Sequence, residues 1–194
     1  MKLYRYSVPE IFLNSIFEIS TDKLFDSGYD TLLFDLDNTI ISYSENIIDI
    51  KTSKFLKSLE KKFNIVIISN SPNLRVLKAC KQFGLKFISS AKKPFKIGFR
   101  KALKIHQSVP EKTVMIGDQI LTDIIGSNRL GIKSILVNPI KRKTDHFFTR
   151  INRKLEKYII NKIIKKYPNL INEALKEYIK KNYNKKEDQC LISI

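Results

Sequence analysis

Short apolar runs that end on a polar residue, each followed by a stretch of helical spacing, recur along the middle of this sequence. Thr31-Leu32-Leu33-Phe34 runs into Asp35, Ile65-Val66-Ile67-Ile68 into Ser69, and Thr113 to Gly117 into Asp118. A shorter run near Phe87-Ile88 and a last one from Ile132 to Val137 bring the count to five. The longer runs are apolar throughout instead of alternating, as in strands buried on both faces of a parallel sheet. Between them, Asp49 to Lys62, Asn73 to Phe83, Phe95 to Ile105 and Leu121 to Leu130 carry apolar residues at helical spacing, and Gly84 and Gly131 stop two of them. The pattern predicts an α/β fold: a five-stranded parallel sheet with helices on both faces, occupying residues 30–140. In such sheets ligands bind beyond the carboxyl ends of the strands, and that is where Asp35, Ser69 and Asp118 fall.

Two segments flank this core. Residues 1–29 hold an apolar cluster (Ile11, Phe12, Leu13, Ile16, Phe17, Ile19) expected to form a helix on the core or against a partner. Residues 141–183 hold two helical patterns separated near Pro168, with Ile151, Leu155, Ile159 and Ile163 expected along one face of the first. Residues 184–194 read as a flexible tail.

The chain has 194 residues, enough for one domain with a real core, and 43% of them are apolar, which excludes a disordered or fibrous class. Its apolar runs are strand-sized, whereas a membrane span needs about 20 residues. Pro9 and Glu10 interrupt the N-terminus before a secretory apolar stretch can form. With two cysteines, Cys80 and Cys190, and two histidines there is no disulfide framework and no zinc set, which suits a reducing, cytoplasmic setting. Lys and Arg number 36 against 19 acidic residues, a net charge of +17. That excess favours polyanionic partners (nucleic acid, an anionic membrane, phosphorylated small molecules) without choosing among them. It is densest from Lys141 onward, where 15 basic residues face six acidic ones.

The sharpest signal is Asp35-Leu36-Asp37-Asn38-Thr39 directly after a strand. Two carboxylates two residues apart are costly there unless a cation or a reaction uses them. Ser69 follows at the end of the second strand, then Lys92-Lys93-Pro94, then Gly117-Asp118-Gln119-Ile120-Leu121-Thr122-Asp123. In this order and frame the set resembles the haloacid dehalogenase superfamily of aspartyl-phosphate phosphatases. The gaps after Thr39 and Ser69 are too short for an inserted cap, so the likeness is to the capless class with its Rossmann-like core. SIFEI at Ser15 to Ile19, AKKP ending at Pro94, GDQILTDIIGSNRLG from Gly117 to Gly131 and TRINRKLE from Thr149 to Glu156 are similar to the bacterial and mitochondrial phosphatidylglycerophosphate phosphatase branch.

The resemblance implies roles that the residue chemistry can sustain. Asp35 is the expected nucleophile, and Asp37 the acid that protonates the leaving alkoxide and then the base toward water. Ser69 donates to the phosphoryl oxygens, Lys93 neutralises their charge, Asn70 touches phosphate or only turns the chain, and Thr39 braces the loop. Mg²⁺ is the expected cofactor, held by Asp35, the Asp37 carbonyl and Asp118, with Asp123 on a bound water or orienting Lys93. The branch implies a phospholipid substrate at an anionic membrane surface. The basic stretch from Ile151 to Lys166, aided by Phe147 and Phe148, suits peripheral association with the inner face of that membrane. It equally suits a helix that buries one stripe on the core with its lysines in solvent. The same site residues would serve a soluble sugar phosphate, nucleotide or nucleic-acid end. A basic RNA- or ribosome-binding protein on this fold is the remaining reading, though no interleaved basic and aromatic platform is evident. No obligate protein partner is implied.

Overall fold

A computed structural model describes residues 2–81 and 83–183; the expected tail, 184–194, lies outside the described residues. The strands are β1 (Ile11–Leu13), β2 (Thr31–Phe34), β3 (Asn64–Ile68), β4 (Lys86–Ile88), β5 (Thr113–Gly117) and β6 (Lys133–Val137). The helices are α1 (Lys2–Tyr6), α2 (Thr21–Asp26), α3 (Ile50–Leu59), α4 (Asn73–Lys81), α5 (Lys96–Ile105), α6 (Ile125–Asn128), α7 (Phe147–Lys166) and α8 (Glu173–Tyr183). All strand pairs are parallel, in the order β1-β6-β5-β2-β3-β4.

The sheet has six strands, not the five expected. Ile11-Phe12-Leu13 pairs with Ile135-Leu136-Val137 at the edge, and Ile16–Glu18 is a single 3-10 turn. The apolar cluster expected to be helical is therefore strand, then turn. Short apolar runs fit either period, and here the free edge of β6 decides.

The period-two geometry of strands sorts the core into two faces. Leu32, Phe34, Ile65, Ile67, Val114, Ile116, Ile135 and Val137 share one cluster with side chains from α2, α3 and α4. Leu33, Val66, Ile68 and Met115 point the other way and meet Phe99, Ala102 and Leu103 of α5. Further along that second face, Phe12 and Leu136 pack against Ile159, Ile160, Ile163 and Ile164 of α7 and Leu175, Tyr178 and Ile179 of α8. In α7, Ile159 and Ile163 are buried while Ile151 and Leu155 are exposed. The single face expected for these four splits because each four-residue step overshoots a helical turn by about 40°, roughly 120° over three steps.

The chain leaves β2 toward β3 and β4, then returns to fill β5 and β6 on the opposite side. The order reverses at β2, which puts a crevice beyond its carboxyl end.

Candidate active site

Asp35 continues the line of β2, its amide donating to Ile116 O at 2.9 Å. The chain then turns tightly: Ile40 and Ile41 amides both donate to Leu36 O, and Asn38 takes a left-handed conformation with φ of 63°. Asparagine tolerates that region better than most residues. Its side chain also ties the turn to the segment before α7, with the amide nitrogen donating to Asp145 and the oxygen accepting from Lys141 N. Thr39 is buried with a hydroxyl that has no hydrogen-bond partner among the described residues.

The turn delivers Asp37 to the ends of β3 and α4. Its Oδ2 accepts from Ser71 Oγ at 2.6 Å and Ser69 Oγ at 3.3 Å. Its Oδ1 pairs with Arg75, 2.7 Å from Nε and 2.6 Å from Nη2. Arg75 also donates to Asn46 Oδ1 and Ser42 O and lies over the Tyr43 ring, so it joins the loop after β2 to Asp37.

Lys93 and Lys92 part company in space: Lys92 is exposed and Lys93 is buried. The Lys93 ammonium donates to Asp35 Oδ1 at 2.6 Å and Ile68 O at 2.8 Å, and lies 2.7 Å from Asp123 Oδ1. The Asn70 side chain lines the same cleft as Asp35 and Lys93 and also holds the backbone of Lys93. Its oxygen accepts from Lys93 N at 2.7 Å and its nitrogen donates to Lys93 O at 3.0 Å, so the amide clamps the backbone that carries the lysine. These bonds brace the chain, one of the two expectations for Asn70, and leave the second N–H of the amide nitrogen unused.

Beyond β5, a π-helical turn, Ile120–Ile124, leads into α6 and places Asp123 back against the strand end. Asp123 Oδ2 accepts from Gln119 N, and a Cβ at Gly117 would sit 2.3 Å from that oxygen. Only glycine at 117 leaves room for the carboxylate. Asp118 is fully buried, and Arg153 from α7 holds it twice, once at Oδ2 and once at the main-chain carbonyl. Arg153 also faces Glu156 and Asp145. Glu156, itself buried, accepts from Leu121 N, and Asn152 donates to Gln119. Within the TRINRKLE stretch, Asn152, Arg153 and Glu156 thus face inward and key α7 into the end of the β5 segment.

Asp35, Asp118 and Asp123 each offer one oxygen within 4.8 Å of the others. Burial, then the neighbouring carboxylates, push Asp35 well above the usual carboxylate range despite Lys93. Burial pushes Asp118 up to about 7, Arg153 working against the rise and Asp123 with it. The Lys93 ammonium is raised by Asp123 and Asp35, which outweigh its burial. Asp118 Oδ1 is buried with no hydrogen-bond partner among the described residues. A surplus of hard, buried oxygen donors with one left unsatisfied fits a divalent cation such as Mg²⁺.

A cleft of about 610 Å³ opens over these groups, lined by Asp35, Asp37, Ser69 and Lys93 on its floor and by Tyr43, Arg75, His146, Phe148, Thr149 and Asn152 around them. The sequence motifs miss Arg75, Ser71, Asp145 and the Arg153–Glu156 pair as site components. Arg75 gives no signal beyond a charge on a helix. Arg153 and Glu156 do give one, because they share the buried face of α7 with Ile160 and Ile163, where solvated charges do not belong.

The HAD-hydrolase-like family matches residues 90–147, the stretch with Lys93, Asp118 and Asp123. Over 165 residues the chain is 33% identical to "Probable phosphatase YqeG" of Bacillus subtilis, spanning 84% of this chain and 95% of that protein. The chain belongs to the HAD-like hydrolases. It is also 24% identical, over 176 residues, to phosphatidylglycerophosphate phosphatase 1, chloroplastic/mitochondrial, of Arabidopsis thaliana, covering 84% of this chain and 49% of that protein. Among solved structures, the magnesium-bound HAD-hydrolase YfnB of Bacillus subtilis shares the fold, with a TM-score of 0.51 and 15% identity over 60% of this chain and 92% of that one.

Proposed function

We propose that this chain is a Mg²⁺-dependent phosphomonoesterase that works through an aspartyl phosphate on Asp35, and that its substrate is phosphatidylglycerophosphate. The observation that carries the chemistry is the buried Asp35–Lys93–Asp123 chain, with contacts of 2.6 and 2.7 Å, beside Asp118 at the switch point of the sheet. An Asp35 oxygen attacks phosphorus, the bond to the ester oxygen breaks, and Asp37 delivers a proton to the departing alkoxide. Water then attacks the acyl phosphate, Asp37 takes its proton, and phosphate leaves with Asp35 regenerated. Ser69 sits beside Asp37 to donate to the phosphoryl group, and Lys93 offsets its charge. Asp35, the Asp37 carbonyl and Asp118, with Asp123 beside them, would hold Mg²⁺, which would supply positive charge to the phosphoryl group and to this acidic cluster.

The lipid substrate draws support from the Arabidopsis relative and from an open cleft. Only residues 35–49 separate β2 from α3, and only α4 and β4 lie between Ser69 and Lys93, which supports the uncapped reading. Phosphate release from phosphatidylglycerophosphate in mixed micelles tests the reading, with p-nitrophenyl phosphate and Asp35→Asn alongside. Mg²⁺-dependent release from the lipid that vanishes in the variant supports both parts. Activity confined to the small ester keeps the chemistry and moves the substrate to soluble phosphates.

A further inference from the structure

The inner face of α7 is keyed into the site, while its outer face is largely uncovered, with Phe148 stacked on His146 at the cleft edge. Phe147 and Phe148 are 66% and 70% exposed, and Ile151, Leu155 and Tyr158 are exposed with them. At about 100° per residue these five fall within roughly 100° of arc, on a side of the helix distinct from the buried residues. An apolar strip of this kind on a helix already packed on its other side is unusual for a surface that faces only water. Lys154 and Lys165, both exposed, lie inside or at the edge of the same arc, with exposed Arg150 beside them. No acidic residue occurs in α7 except the buried Glu156.

We infer that this face is a docking surface for an anionic lipid bilayer, with the aromatic and aliphatic side chains entering the headgroup boundary and the lysines on lipid phosphates. Apolar side chains framed by cations, with no carboxylate among them, complement a bilayer of negative surface charge. A second copy of this chain would bring the same cations against themselves. The position of the face completes the argument. Phe148 belongs both to the exposed strip and to the wall of the catalytic cleft, so a membrane seated on α7 lies at the cleft mouth. This deepens the lipid-phosphatase reading and rests on it for the purpose of docking, whereas the binding itself can be measured without turnover.

The test is co-sedimentation of the full chain with vesicles of phosphatidylcholine alone or mixed with phosphatidylglycerol, at low and high salt. Phe147→Ser/Leu155→Gln/Tyr158→Gln removes apolar contact and leaves Phe148, which lines the cleft, in place. Lys154→Gln/Lys165→Gln removes charge only, and keeps the question answerable if the triple variant fails to fold. Wild-type protein is expected to prefer the anionic vesicles, and each variant to lower that partition about tenfold or more. The charge variant should also flatten the salt dependence. Absence of vesicle binding, equal binding to neutral vesicles, or binding untouched by either variant overturns the inference. So does a dimer in light scattering that the triple variant dissolves, which would assign the face to a second copy. Micellar phosphatidylglycerophosphate turnover separates the two proposals. Vesicle binding without lipid turnover sinks the substrate and leaves the docking face, while turnover without vesicle binding does the reverse.

Discussion

The two walls of the cleft handle negative charge in opposite ways. On the β3 side, Asp37 is a satisfied group: both oxygens are taken, one by Arg75 and the other by the hydroxyls of Ser69 and Ser71. On the β5 side, Asp35 and Asp123 share one lysine, and Asp118 leans on an arginine that also faces Glu156 and Asp145. The first wall is complete as it stands and holds an acid–base group in one orientation. The second is short of positive charge, and burial raises Asp35 and Asp118 above the usual carboxylate range. A site with one closed wall and one electron-rich wall is ready for a cation and a phosphoryl group to arrive together.

Substitutions can break this contrast, the largest effect first. Asp35→Asn should lower turnover by roughly a thousandfold or more while preserving the fold, as read from phosphate release and circular dichroism. Arg153→Ala strips the cation from Asp118 and Glu156 inside the protein, and should cost about 3–5 kcal/mol in chemical denaturation. Arg75→Ala acts on the satisfied wall, where a loosened Asp37 should lower kcat about tenfold to a hundredfold, with Arg75→Lys recovering part. Gly117→Ala pushes a methyl group into Asp123 at 2.3 Å and should destabilise by about 1–3 kcal/mol, with a weaker Mg²⁺ response in calorimetry.

The smallest effect is a pH dependence. A carboxyl whose folded value is raised binds its proton more tightly when folded, so its ionisation opposes folding as pH climbs from its ordinary value to the raised one. For Asp118 that window runs from 3.8 to about 7. Metal-free protein should therefore lose a few degrees of Tm across it, and added Mg²⁺ should raise Tm more at pH 8 than at pH 5.5, because the ligands must be ionised. An equal Mg²⁺ increment at both values would contradict the electron-rich wall.

What the sequence revealed followed from how local each signal was. Asp35, Ser69 and Asp118 were legible because each closes an apolar run, and parallel strands bring such ends together without further information. Lys93 and Asp123 were legible through motif spacing and fall within the same network. β1 was not legible, since three apolar residues carry no period until an unpaired edge receives them. Arg75 was not, because a charge on a helix reads as solvated until the fold shows which side it faces. Arg153 was missed although its helical spacing places it with Ile160 and Ile163. The C-terminal region looked like an appendage on charge density alone. It proves to be the far wall of the cleft, because Arg153, Glu156 and Asn152 share the inner face of α7 with its isoleucines.

That wall arrives late. Chains emerge from the ribosome N-terminus first, so Asp35 and Asp37 appear well before Lys93, and the cation for Asp118 waits until residue 153. Until then the nascent sheet carries Asp35, Asp118 and Asp123 around Lys93, an acidic knot in which Asp118 lacks its arginine. Closure of α7 is the event that lets that knot be buried. Maturation of the site and docking of the last helices are then a single step, and a chain halted before α7 would hold every signature motif without the balanced charge that makes them a site.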